Sequence, residues 1–196
     1  VANLVRHHDF MFENGQVMTA NGSVSSELTS HLDLCSSMLE SRSTIRLTTS
    51  GTTGTSKSVF HTIKTLTRGV RTGPHHENDA WALAYPIGHL SGIQVLFQAL
   101  WNRNTIVQLF GLPPEASHLA IERYGLTHLS CTPTFLKLLA GGVHSHPSVR
   151  RLTTGGERCE KSTTKVISRL FPNAKHRNIY ALTEVGNLLI ANGEEF

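Results

Sequence analysis

The stretch Leu126-Thr127-His128-Leu129-Ser130-Cys131-Thr132-Pro133-Thr134-Phe135-Leu136-Lys137-Leu138-Leu139-Ala140-Gly141-Gly142 holds the repeating unit of the fold. Leu126 to Ser130 reads as a strand, and Pro133 to Ala140 reads as a helix that the Gly141-Gly142 pair stops. The same alternation extends in both directions. Ile45 to Thr49, Ala80 to Tyr85, Thr105 to Leu109, Val149 to Thr154 and His176 to Tyr180 read as strands. Between them, Ser91 to Trp101 is apolar nearly all round, as a helix packed inside a domain would be. Glu115 to Tyr124 starts after Pro113-Pro114 and stops at Gly125, while Glu160 to Phe171 stops at Pro172 with Leu170 and Phe171 as apolar anchors. Strands alternating with helices of this length predict an α/β fold, a mostly parallel sheet flanked by helices.

The first part of the chain differs. Asn21 to Arg42 is rich in serine, with Leu28, Leu32, Cys35 and Leu39 spaced like one helix face. The expected organisation is therefore a helical lead-in over residues 1–44 and an α/β domain over 45–196, with no internal repeat.

Composition narrows the function. The 196 residues are 39% hydrophobic and 16% charged, too apolar for a disordered chain and long enough to bury a core. No run of about 18 apolar residues exists, so no membrane span is expected. The most apolar segment, Ile87 to Trp101, is broken by His89, Ser91, Gln94 and Gln98. The net charge of +4 comes from scattered residues rather than a polybasic arm, which sets nucleic acid aside. Cys35, Cys131 and Cys159 are odd in number and form no C-x-x-C, the pattern of reduced, buried thiols in a cytoplasmic protein. Twelve histidines, including His7-His8, His75-His76 and the spaced pair His144 and His146, come with no cysteine or carboxylate spacing of a zinc site. Val1 opens the chain without a charged leader, Phe196 closes it soon after an apolar run, and both ends read as cut.

The strongest local signal is Leu47-Thr48-Thr49-Ser50-Gly51-Thr52-Thr53-Gly54-Thr55-Ser56-Lys57-Ser58-Val59. Two glycines let the backbone approach a ligand and turn successive N–H groups inward, and hydroxyls with one lysine complete a surface for several phosphate oxygens. One reading is the P-loop of nucleotide triphosphatases, G-x-x-x-x-G-K-[ST]. Gly51 to Ser58 nearly fits it, but Ser56 stands at the second glycine and no later strand ends in a magnesium-binding aspartate.

The other reading is a resemblance. Thr49 to Lys57 resembles the T-S-G-T-T-G-x-P-K-G phosphate loop of the adenylate-forming superfamily, which includes acyl-CoA synthetases, aryl-CoA ligases, luciferases and peptide-synthetase adenylation domains. Ser56 stands for the proline and Ser58 for the last glycine. Four more segments resemble that superfamily in order. Tyr85-Pro86-Ile87-Gly88-His89-Leu90-Ser91-Gly92 is similar to its L-P-x-x-H-x-x-G segment, and Cys131 to Leu136 to its V-P-x-x-x-x-L step. Thr154-Gly155-Gly156-Glu157 is similar to its G-G-E/A turn, and Tyr180-Ala181-Leu182-Thr183-Glu184 to its Y-G-x-T-E, with Ala181 for glycine. The five motifs span residues 47 to 186.

The resemblance implies a subdomain of the N-terminal domain of an adenylate-forming enzyme, with ATP and magnesium as cofactors. It implies that Thr49, Ser50, Gly51, Thr52, Thr53, Gly54 and Lys57 grip the β- and γ-phosphates. Tyr180 would stack on adenine beside Ala181, with Gly155, Gly156 and Glu157 as the neighbouring wall. Thr183 would meet the α-phosphate, Glu184 the magnesium, and His89 the substrate carboxylate; these three are the implied catalytic residues. The implied reaction is attack of a small-molecule carboxylate on the α-phosphorus, giving acyl-AMP and pyrophosphate, with coenzyme A or another thiol as acceptor.

Twelve residues follow Glu184, so the superfamily's later T-G-D segment and its lysine-bearing C-terminal domain are not in this sequence. The chain reads as the central part of a longer ligase, whose remainder would be its partner. The rival readings are a nucleotide-binding module that adenylates nothing, and a P-loop ATPase or kinase.

Overall fold

A computed structural model describes residues 10–13, 16–19, 31–40, 42, 44–49, 57–182 and 186–191. The chain divides into two compact units, Val1–Ser43 and Thr44–Phe196. The first holds β1 (Phe10–Glu13) and β2 (Gln16–Thr19), an antiparallel pair absent from the sequence reading, and the helix α1 (His31–Glu40). The described part of this helix runs from His31 to Glu40. Cys35 is buried and Leu39 exposed, so the two do not share one environment. Leu28 lies outside the described residues.

The second unit opens with a hairpin. β3 (Thr44–Thr49) pairs antiparallel with β4 (Lys57–Thr62), Thr44 opposite Thr62 and Thr49 opposite Lys57. The expected strand at Ile45 is present, but it belongs to this separate two-stranded sheet and not to the parallel one. A short helix α2 (Ile63–Thr67) follows, capped by Thr62, whose hydroxyl accepts from the Thr65 N–H.

Among the described residues the main sheet has six strands. They are β5 (Ala80–Leu83), β6 (Thr105–Gln108), β7 (His128–Cys131), β8 (Arg151–Gly155), β9 (Lys175–Leu182) and β10 (Gly186–Ala191), in the spatial order β10-β9-β8-β7-β5-β6. Five run parallel, and only β10 pairs antiparallel, against β9. The helices α3 (Leu90–Trp101), α4 (Pro114–Arg123), α5 (Pro133–Leu139) and α6 (Lys161–Leu170) make the crossovers.

Strand order and handedness place the layers. From β5 the chain crosses through α3 to β6 on one side, then returns through α4 to β7 on the other. Right-handed crossovers in opposite directions put α3 on one face and α4, α5 and α6 on the other. Side-chain alternation agrees. Ala82, Ala84, Leu129, Cys131 and Leu152 point into one core with Ile121, Leu136, Leu139, Ile167, Leu170 and Phe171. Leu83, of opposite parity on β5, and Tyr85, two residues past the strand, are also buried. The reversal of direction between β5 and β7 makes a topological switch point, and open α/β sheets bind ligands there, beyond the carboxyl ends of the strands.

Candidate functional site

Three strands deliver sequence-selected residues to that edge. Beyond β5, the chain turns through Tyr85 and Pro86 to His89, the N-cap of α3, which is exposed and makes no side-chain cap bond. β8 ends at Gly155, and Gly156 and Glu157 follow it. Tyr180 and Ala181 lie in the last residues of β9. The structure thus brings His89, Gly155–Glu157 and Tyr180–Ala181 to the same edge of one sheet. Thr183 and Glu184 follow β9 and lie outside the described residues. Ser50, Gly51, Thr52, Thr53 and Gly54 also lie outside them; Thr49 and Lys57 face each other across the β3–β4 pair as the last register positions before that loop.

The glycine turn has a physical basis. A Cβ on Gly155 would stand 2.9 Å from the Ile179 carbonyl oxygen, because β8 and β9 pair at that position. Gly156 has φ +81°, a left-handed conformation that disfavours any other residue, and only Thr132 Cγ2 comes near its missing Cβ, at 3.9 Å. The turn therefore presents bare peptide planes at the sheet edge, which suits a flat ring laid against them. The Glu157 carboxylate is engaged: its Oε2 accepts from the Thr134 N–H at 3.1 Å and the Thr134 hydroxyl at 2.5 Å, capping α5.

Sequence reasoning missed the role of Tyr85. Its hydroxyl donates to the Cys131 carbonyl at 2.6 Å, and the Gly155 carbonyl stands 3.3 Å away. One phenol just past β5 thereby spans the ends of β7 and β8. Burial raises its pKa far above the ordinary value, so the hydroxyl stays a donor. No local pattern announces this, because the partners are 46 and 70 residues away.

Other polar groups have structural surroundings. At the opposite strand ends, buried Asp79 meets His76 Nδ1 at 2.9 Å and both His128 Nε2 and Arg150 at 3.5 Å, while Trp81 stacks on His128. Burial outweighs Asp79 and holds the His128 pKa down to about 4. In the helix layer, His118 Nδ1 and His146 Nε2 are 2.8 Å apart, and the His144 ring stacks on His118 with its centroid 3.8 Å away. Burial lowers the pKa of His118 and His146. Among the described residues no group of three His, Cys, Asp or Glu is arranged to hold a metal ion. The three cysteines are buried thiols, and desolvation raises the Cys131 pKa, which disqualifies it as a thiolate nucleophile.

A profile of the AMP-binding enzyme family matches residues 40–195. The chain belongs to this family. The chain is 28% identical over 141 residues to 2-succinylbenzoate–CoA ligase from Staphylococcus aureus strain JH9, a match covering 69% of this chain and 28% of that protein. It therefore spans under a third of the length of the curated relatives it matches. Among solved structures it resembles the luciferase-like enzyme of the mealworm Zophobas morio, with TM-score 0.64 and 25% identity, covering 76% of this chain and 36% of that one. It shares its fold with O-succinylbenzoate coenzyme A synthetase from Bacillus subtilis, solved in complex with ATP and magnesium ion, at TM-score 0.63 and 22% identity, covering 76% and 32% of the two chains. This chain carries the same α/β architecture as these neighbours. No helix among the described residues is long and apolar enough to cross a membrane.

Proposed function

We propose that this chain is the nucleotide-binding part of an ATP-dependent carboxylate ligase, of the acyl- or aryl-CoA synthetase kind. The observation that carries this reading is the gathering of His89, Gly155–Glu157 and Tyr180–Ala181 at the carboxyl edge of β5, β8 and β9, beside the switch point. The curated relative named as a CoA ligase and the neighbour solved with ATP and magnesium support it.

In this reading the loop from Thr49 to Gly54, with Lys57 at the mouth of the hairpin, holds the terminal phosphates. Its N–H groups, hydroxyls and ammonium are all donors, as phosphate oxygens require. The bare Gly155–Gly156 backbone and Tyr180 flank adenine, beside Ala181 and Glu157. Thr183 donates to the α-phosphate, and the hard carboxylate oxygens of Glu184 would hold magnesium. Magnesium supplies neutralisation of phosphate charge. His89, exposed at the N-terminus of α3, orients the carboxylate of the small-molecule substrate. Its oxygen forms a bond to the α-phosphorus as the bond to the bridging oxygen of pyrophosphate breaks; acyl-AMP and pyrophosphate result. The chain's share of the work is positioning and charge stabilisation. Coenzyme A or another thiol then takes the acyl group in the longer ligase. Three buried thiols suit a reducing, cytoplasmic compartment.

Calorimetric titration of the chain with ATP, with and without magnesium, tests the site. Lys57→Ala and Glu184→Ala are each expected to weaken magnesium-dependent binding about tenfold or more. Unchanged affinity in both variants, or no binding by the folded chain, overturns the reading. Release of ADP instead of AMP and pyrophosphate would favour a P-loop ATPase.

A further inference from the structure

Tyr85 stands at the point where the sheet opens. β5 and β7 are neighbours, but the chain leaves β5 for α3 on one face and leaves β7 for α5 on the other. Cys131 and Gly155 are the last residues of β7 and β8, where the parallel ladder ends. Tyr85 is buried at 6% exposure, and its ring lies across the end of β7 so that the hydroxyl reaches β8. Cys131, whose carbonyl takes the proton, directly precedes Thr132, the N-cap of α5. Gly155, whose carbonyl is the second acceptor, directly precedes the left-handed Gly156. The same two segments are joined again by the Glu157 carboxylate on Thr134.

We propose that Tyr85 is a positioning residue for nucleotide binding: its hydroxyl holds the Gly155–Glu157 turn against the end of β7 and thereby sets affinity for ATP. The inference rests on the nucleotide-site reading above. The hydroxyl touches no nucleotide atom; it acts through its bond to the Cys131 carbonyl and its approach to the Gly155 carbonyl.

Tyr85→Phe removes only the hydroxyl and keeps the ring. Ile167→Val, a shaving of the core on α6 away from the turn, serves as a variant with a purely structural defect. Both are compared with the parent chain by ATP titration in magnesium and by amide hydrogen exchange at Gly156 and Glu157 without nucleotide. Tyr85→Phe is expected to speed exchange at those two amides and to weaken ATP binding about tenfold. Ile167→Val is expected to change neither. Parent-like exchange in Tyr85→Phe overturns the proposal, and so does faster exchange with unchanged ATP affinity, or an equal loss of affinity in Ile167→Val. In those cases the parent still binds ATP and the site reading stands. A parent chain that binds no ATP overturns the reading itself, and the proposal with it.

Discussion

A Cβ at Gly92 would lie 2.2 Å from the Pro86 carbonyl oxygen and 2.9 Å from its carbon, contacts that only a backbone shift could relieve. The cause is the tight path out of β5: the His89 N–H bonds back to Pro86 and the Ile93 N–H bonds to His89, so the first turn of α3 sits directly on Pro86. Gly92→Ala is therefore expected to cost about 2–3 kcal/mol by overpacking, read as a lower urea midpoint with an unchanged slope. In the sequence Gly92 is legible as the last glycine of a motif; its reason is not, because it depends on how far the chain folds back over six residues. Tyr85 and Glu157 are harder still. The bonds these two side chains make cannot be read locally, because their partners lie 23 to 70 residues away.

At the scale of elements, α5 shows how local and distant signals combine. The Thr132 hydroxyl accepts from the Phe135 N–H at 3.1 Å, Pro133 occupies the first helical position, and Glu157 satisfies the Thr134 N–H from another loop. Thr132→Ala should cost about 1 kcal/mol in chemical denaturation. A cost near zero would mean that Glu157 alone suffices as a cap. Helices with such punctuation were readable: α3, α4, α5 and α6 all lie within a residue or two of the spans expected from Pro, Gly and apolar spacing. The short elements were not. α2 is five residues rich in β-branched side chains, and β10 follows β9 so closely that its apolar run reads as a continuation. β1 and β2 are four residues each, too short for a periodicity to show.

Across the whole second unit, buried histidines tie stability to pH. His118, His128, His146 and His176 all have pKa values lowered by burial. Glu115, Glu122, Arg169 and His144 act on the stacked His118–His146 pair, and Asp79, Arg150, Arg151 and His76 on His128. Once the pH falls below the unfolded value of 6.5, the unfolded chain binds protons that the native state refuses. Stability is thus present above about pH 6.5 and lost as the pH falls through the lowered native values, to about 4 for His128. The urea midpoint should drop between pH 7.5 and pH 5, and His118→Leu should flatten that slope. A midpoint independent of pH over this range would show that the cluster opens to water without cost.

The sequence by itself determined the alternation of strand and helix, the hydroxyl- and glycine-rich loop between Thr49 and Lys57, and the order of five motifs. Each is encoded within a window of a few residues, by side-chain period, by proline and glycine, or by ligand chemistry. Tertiary structure alone decided that β3 pairs with β4 outside the main sheet, that the strands order as β10-β9-β8-β7-β5-β6, and that Tyr85 closes the switch point. Strand order is a matter of pairing between segments tens of residues apart, and no local propensity distinguishes one neighbour from another. The candidate site takes its residue types from the sequence and its place from that order.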